Sequence, residues 1–182
     1  MRRAFFTFIF NVWGWKVKGQ QPSEKKYVIV VAPHTSNMDF FVGVCVKYML
    51  PNFKPNFLAK NSLFKIPLIG WFLSSIGGHA VDRSKKLKLV DQIVEIFEKN
   101  ERFIMTITPE GTRSYVENWK TGFYFVAVKA KVPIVMAGFD YEHKIVELKE
   151  PFYPSGNVEE DMEKMKSYFR SIKGKYPHLG VK

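Results

Sequence analysis

The run KYVIVVAP at residues 26–33 restricts the fold more than any other part of this chain. A strand with one face in water alternates apolar and polar side chains, whereas Tyr27 through Ala32 carry no charge and four are β-branched in a row, Val28 to Val31. Such a run reads as a strand covered on both faces, as in a parallel sheet between two helical layers. RFIMTIT at 102–108 and VPIVMAGF at 132–139 repeat the pattern. Between them, helical spacing is expected at 39–50, at 84–100 through Leu87, Val90, Ile93, Val94 and Phe97, and at 120–131. Pro67 and Gly70 predict a kinked or two-part helix over 62–76. Short strands are expected at 56–59 and in HAVDR at 79–83, a polar edge strand in KIVELKEPFYP at 144–154, and an amphipathic helix from Asn157 onward. With 182 residues, the sum is one α/β domain with a largely parallel, helix-flanked sheet.

The first eighteen residues, MRRAFFTFIFNVWGWKVK, are too short in their apolar part to span a bilayer. On a helical wheel Arg3, Thr7, Asn11, Gly14 and Lys18 fall on one narrow stripe and nearly everything else is apolar. An amphipathic helix over 1–19 preceding a domain at 20–182 is therefore expected, either lying in a membrane interface or buried against the domain. A cleaved signal peptide fits poorly, because Lys16 and Lys18 follow and no small-residue cleavage site is present. The net charge of +11 predicts attraction to polyanions: anionic headgroups, nucleic acid or phosphorylated substrates. Cys45 is the single cysteine, so no internal disulfide forms and a reduced setting is expected.

Functional groups in such a fold collect where strands end. His34 follows the first buried strand and Asp39 stands five residues on, where a helix should start. A carboxylate on one ring nitrogen would leave the other free to take a proton from a hydroxyl; equally, Asp39 or Asn37 could simply cap the helix and His34 occupy a turn. TPEGTRS, 108–114, ends another buried strand with a glycine, two hydroxyls and an arginine fork, a set suited to phosphate and also to a plain turn. Arg83, in VDRS, offers a second phosphate contact or an ion pair with Asp82.

In order along the chain, HTSNMD, AKNSLFKIPLIGWFLSSIGGHAVDR, PEGTRS and VPIVMAGF resemble the four blocks of the glycerolipid acyltransferases, including the 1-acylglycerol-3-phosphate acyltransferases. H-x4-D alone is weak; the ordered set is specific and spans about residues 27–139. The resemblance implies a glycerol-3-phosphate acyltransferase-like fold in which His34 is the general base and Asp39 its orienting partner. It places Lys60, Arg83, Glu110, Gly111, Thr112 and Arg113 around the acceptor phosphate. The donor would be acyl-CoA or acyl carrier protein, the acceptor a lipid hydroxyl, with no cofactor and no metal. The location implied is cytoplasmic, peripheral on the inner face of the cell membrane. Pro33, His79 and Thr108 depart from residues common in the family, which bears on the acceptor rather than on His34 and Asp39.

Other classes account for fewer features. His34, Asp39 and His79 could converge on a metal, but no short ligand spacing supports it. A nucleic-acid binder would use the charge, yet the aromatics sit inside apolar runs and the cations are dispersed, so no nucleic-acid partner is expected. A non-catalytic lipid-binding or membrane-surface protein accounts for the N-terminal helix and the charge without needing the His-Asp pair.

Overall fold

The computed structural model describes residues 2–81 and 86–182. In chain order, helix α1 (Arg2–Val12) leads to β1 (Lys16–Lys18), β2 (Lys26–Ala32), α2 (Met38–Met49) and β3 (Pro55–Lys60). There follow α3 (Asn61–Phe64), α4 (Pro67–Ser75), β4 (Gly78–Val81), α5 (Lys86–Lys99), β5 (Phe103–Ile107) and α6 (Gly122–Ala130). The chain finishes with β6 (Ile134–Asp140), β7 (Ile145–Leu148), α7 (Val158–Arg170) and a 3-10 turn at Pro177–Leu179. Among the described residues the strands form one seven-stranded sheet in the order β1-β7-β6-β2-β5-β3-β4. Of the strand pairings among the described residues, β6–β7 is antiparallel and the other five are parallel.

The unbroken apolar runs are the centre of this sheet. β2 lies between β5 and β6, with Val28 paired to Met105 on one side and Ile134 on the other. From Tyr27 to Ala32 its side chains alternate between two cores, which is why none of them is charged. Val28, Val30 and Ala32 pack with Phe97 of α5, Phe123 and Val126 of α6, and Met165 and Phe169 of α7. Tyr27, Ile29 and Val31 pack with Phe10 of α1 and with Val42, Cys45 and Val46 of α2. The parallel strands β2, β3 and β5 all deliver their C-terminal ends to the same edge, where the loops that follow them meet.

The structure changes or refines four expectations. The first helix does not run to Lys18: it stops at Val12, Gly14 turns with φ +76°, Trp15 is buried, and Lys16–Lys18 pairs in parallel with β7. The choice between a buried and an interfacial α1 resolves into two stripes. Phe6, Ile9 and Phe10 pack on the domain, while Phe5, Phe8 and Val12 face outward. β7 is not an edge strand, because β1 covers it, with Lys18 paired to Glu147 at 2.9 Å. The predicted interruption near Pro67 is a clean break: α3 ends at Phe64, Ile66 is extended, and α4 begins on the proline. Of the strand expected over 79–83, the described part ends at Val81; Asp82 and Arg83 lie outside the described residues.

Candidate active site

The chain leaves β2 through a cis Ala32–Pro33 peptide and crosses the short loop 33–37 before α2. Asp39, in the first turn of that helix, reaches back over the loop. Its Oδ2 accepts from the Thr35 and Ser36 amides, both at 3.0 Å, and faces His34 Nδ1 at 2.9 Å. Its Oδ1 accepts from the Tyr141 hydroxyl at 2.6 Å. The capping alternative does not hold: Asp39 lies within the first turn of α2 and accepts from loop amides that precede the helix, while facing the imidazole with the same oxygen. Asn37 makes no side-chain cap. Four donors around a side chain that is 4% exposed leave Asp39 a single placement.

With Nδ1 against a carboxylate, its proton is assigned there, and Nε2 is left unprotonated on the other side of the ring. His34 lines a cleft of about 330 Å³ whose walls include Phe40, Lys47, Asn56, Thr108 and Arg113. The walls are mostly apolar, so an alkyl chain fits beside the imidazole. Across the sheet, Leu58, Ile93, Ile107, Lys120 and Phe123 line a second cavity of about 490 Å³. Phe57, Thr106 and Thr108 belong to both walls.

Glu110 supports the same loop from behind. Its Oε1 accepts the His34 backbone N–H at 3.1 Å, while Oε2 is buried without a partner. Burial pushes this carboxyl up to about 7, and the neighbouring Asp39 charge adds to the rise. Lys47 is also perturbed: burial lowers its ammonium, which donates to the Ile76 carbonyl at 2.6 Å. Burial, then donation to Asp39, holds the Tyr141 phenol above its ordinary range.

Of the residues expected from the sequence, His34, Asp39 and Arg113 come together at the cleft, and Glu110 contacts His34 from below. Gly111 lines the opposite cavity at φ +67°, packed beneath the Lys120 side chain, which a Cβ would strike. Thr112 is exposed and accepts from the Ser114 amide at 3.3 Å. Lys60 is exposed at the end of β3 and lines neither cavity; Arg83 lies outside the described residues. His79 bonds Asn56 Oδ1 at 3.2 Å and stacks edge-on with Phe103, so the trio His34, Asp39 and His79 does not assemble. Among the described residues, the cluster of metal-ligand type is instead Asp140, Glu142 and His143.

Sequence reasoning missed Tyr141 and Lys47. Tyr141 lies 102 residues from Asp39 and nothing local marks it. Lys47 could have been noticed as the one charge inside the apolar run of α2.

The sequence model of the Acyltransferase family matches residues 14–139. A 1-acyl-sn-glycerol-3-phosphate acyltransferase of Saccharomyces cerevisiae is 35% identical over 146 residues, covering 73% of this chain and 46% of the relative. One from Chlamydomonas reinhardtii is 32% identical over 152 residues, 74% and 43% of the two chains. One from Streptococcus pneumoniae is 26% identical over 148 residues, 73% and 53%. The chain therefore spans about half the length of the curated relatives it matches. No solved structure matches it. The matched span runs from just before β1 into β6 and contains both the His34–Asp39 pair and the 108–114 loop, and on these grounds the chain belongs to the acyltransferase family.

Proposed function

We propose that this chain is an O-acyltransferase that moves a fatty acyl group from acyl-CoA or acyl carrier protein to the hydroxyl of a lysophospholipid such as 1-acylglycerol-3-phosphate. It works as a peripheral protein on the cytoplasmic face of the cell membrane, in phospholipid synthesis. The observation that carries the reading is His34 held by Asp39 at 2.9 Å with its other nitrogen free, at a largely apolar cleft that also presents Arg113.

Nε2 takes the acceptor's hydroxyl proton as the oxygen attacks the thioester carbonyl carbon, and the carbonyl electron pair moves onto oxygen. The tetrahedral adduct collapses, the C–S bond breaks, and the leaving thiolate recovers the proton from the imidazolium. No acyl-enzyme and no cofactor enter the scheme. Asp39 keeps the tautomer and favours the imidazolium as it forms. Arg113 at the cleft gathers the acceptor phosphate, with Thr112 beside it on the same exposed loop. No helix among the described residues is long and apolar enough to cross a membrane. The outward stripe of α1, where Phe5 and Phe8 are exposed, supports contact with a lipid surface.

The test is thiol release from palmitoyl-CoA by the purified protein with and without lysophosphatidic acid, beside His34→Ala. Acceptor-dependent release lost in the variant supports the reading. Equal release from both proteins would refute the base. Lipid binding with no release from any thioester by the unaltered protein would favour a non-catalytic lipid-binding protein, a reading to which the exposed Phe5 and Phe8 lend weight.

A further inference from the structure

An amphipathic surface helix buries its apolar stripe and shows its charges to water, as α7 does by burying Met162, Met165 and Phe169. α4 is built the other way round. Its buried residue is Gly70, and its large side chains point out: Leu68 is 83% exposed, Trp71 73%, and Phe72 half exposed. Leu68, Trp71 and Phe72 stand at i, i+3 and i+4, so they form one outward stripe, extended by Leu63, Ile66 and Ile69. Gly70 explains how the stripe is held away from the domain. A Cβ there would lie 2.5 Å from the Phe64 carbonyl oxygen, so only glycine lets α4 fold tightly against α3.

We infer that the α3–α4 hairpin is a second membrane-docking element, separate from α1, which inserts its stripe into the interface of an anionic bilayer. The charge around it supports this occupant. No Asp or Glu occurs from residue 40 to residue 81, while Lys54, Lys60 and Lys65 are exposed at the ends of β3 and α3. An apolar stripe rimmed by cations suits acidic headgroups over acyl chains. A second copy of the chain suits it less, because a two-fold contact would set those lysines against their own counterparts with no local carboxylate to pair. α2 joins the two docking elements: Tyr48 stacks on Phe6 of α1 at 4.6 Å, and its neighbour Lys47 donates to the carbonyl of Ile76, the residue that ends α4. Ile76, Pro55 and Phe57 are also walls of the His34 cleft, so a lipid leaving the bilayer beside α4 would meet the cleft directly. The inference rests on the proposed membrane-surface role and is independent of the acyl-transfer chemistry.

The test compares the full chain with Leu68→Asp/Trp71→Asp in sedimentation with phosphatidylcholine vesicles, with and without phosphatidylglycerol. The double variant should bind anionic vesicles about tenfold or more weakly with an unchanged far-UV circular-dichroism spectrum. His34→Ala should bind as the unaltered protein does, so a failure of the chemistry would not be mistaken for a failure of docking. In a second arm, Trp13→Phe leaves Trp71 as the exposed indole, since Trp15 and Trp119 are buried. Brominated-chain phosphatidylglycerol should quench its emission, and a further Trp71→Phe should abolish the quenching; this arm decides the matter even if the aspartates unfold the protein. Unchanged vesicle binding by the double variant, absence of quenching, or a dimer that the aspartates split without affecting vesicle binding would each overturn the inference.

Discussion

The loops at 33–39 and 108–114 leave the ends of two neighbouring parallel strands, yet they are built to opposite specifications. In the first, Thr35, Ser36 and Asp39 are buried, two loop amides converge on Asp39, and Glu110 and Tyr141 brace it from outside. The second turns inward at Pro109 and Glu110, where Lys120 N–H donates to Pro109 O at 2.9 Å; from Gly111 to Ser114 it is exposed, with Gly111 N–H to Thr108 O at 3.1 Å and Ser114 N–H to Thr112 Oγ1. A group that transfers a proton has to be in place before the substrate arrives. A group that gathers a phosphate can close around it. Under the proposed function, the difference separates a part set for chemistry from a part left free for recognition.

Substitutions can break that separation. The largest effect is expected at His34→Ala and Asp39→Asn, each lowering kcat about a thousandfold or more with thermal unfolding little changed for His34→Ala. Comparable losses of kcat in the 108–114 loop would erase the distinction. Glu110→Gln tests the brace through stability. The folded state holds this carboxyl's proton up to about 7, whereas the unfolded chain loses it near 4.5. Between those values the folded protein binds more protons, so its stability falls as pH rises, by about 3 kcal/mol in all. Glu110→Gln removes the titration, and its unfolding temperature relative to the unaltered protein should climb from about pH 5 to about pH 8. A pH-independent difference would place the Glu110 proton elsewhere.

Smaller effects sharpen the comparison. Arg113→Ala should raise the acceptor KM about thirtyfold with kcat nearly kept, and rising ionic strength should weaken the acceptor's binding to the unaltered protein. Tyr141→Phe removes one donor to Asp39 and should lower kcat by up to about tenfold with KM unchanged, shifting the pH–rate profile. An effect on KM alone would move Tyr141 out of the positioning of Asp39.

How far the sequence discloses this molecule follows the range of each interaction. β2, β5 and β6 were legible because double-sided burial writes an unbroken apolar run, and the break between α3 and α4 because proline forbids continuity at one place. His34 and Asp39 were legible because one turn connects them. β1 was not: KVK is strand only through its pairing with Ile145–Leu148, while its neighbours Trp13 and Trp15 extend the helical pattern. The same distance hid Tyr141 and turned the expected edge strand into an inner one. Glu110 was expected near the phosphate from its motif, and the hydrogen bond to His34 depends on a register between β2 and β5 that no local pattern states.

The strand order also dictates a sequence of events during synthesis. β1 and β2 are made first, but neither can pair with the other: β2 waits for Phe103–Ile107 and Ile134–Asp140, and β1 for Ile145–Leu148. Until the ribosome has passed residue 148, the N-terminal strand has no hydrogen-bonded neighbour and its slot in the sheet does not exist. The growing chain therefore carries α1 before the strand that follows it is tied into the sheet, and the docking proposed for its outward stripe does not depend on that closure.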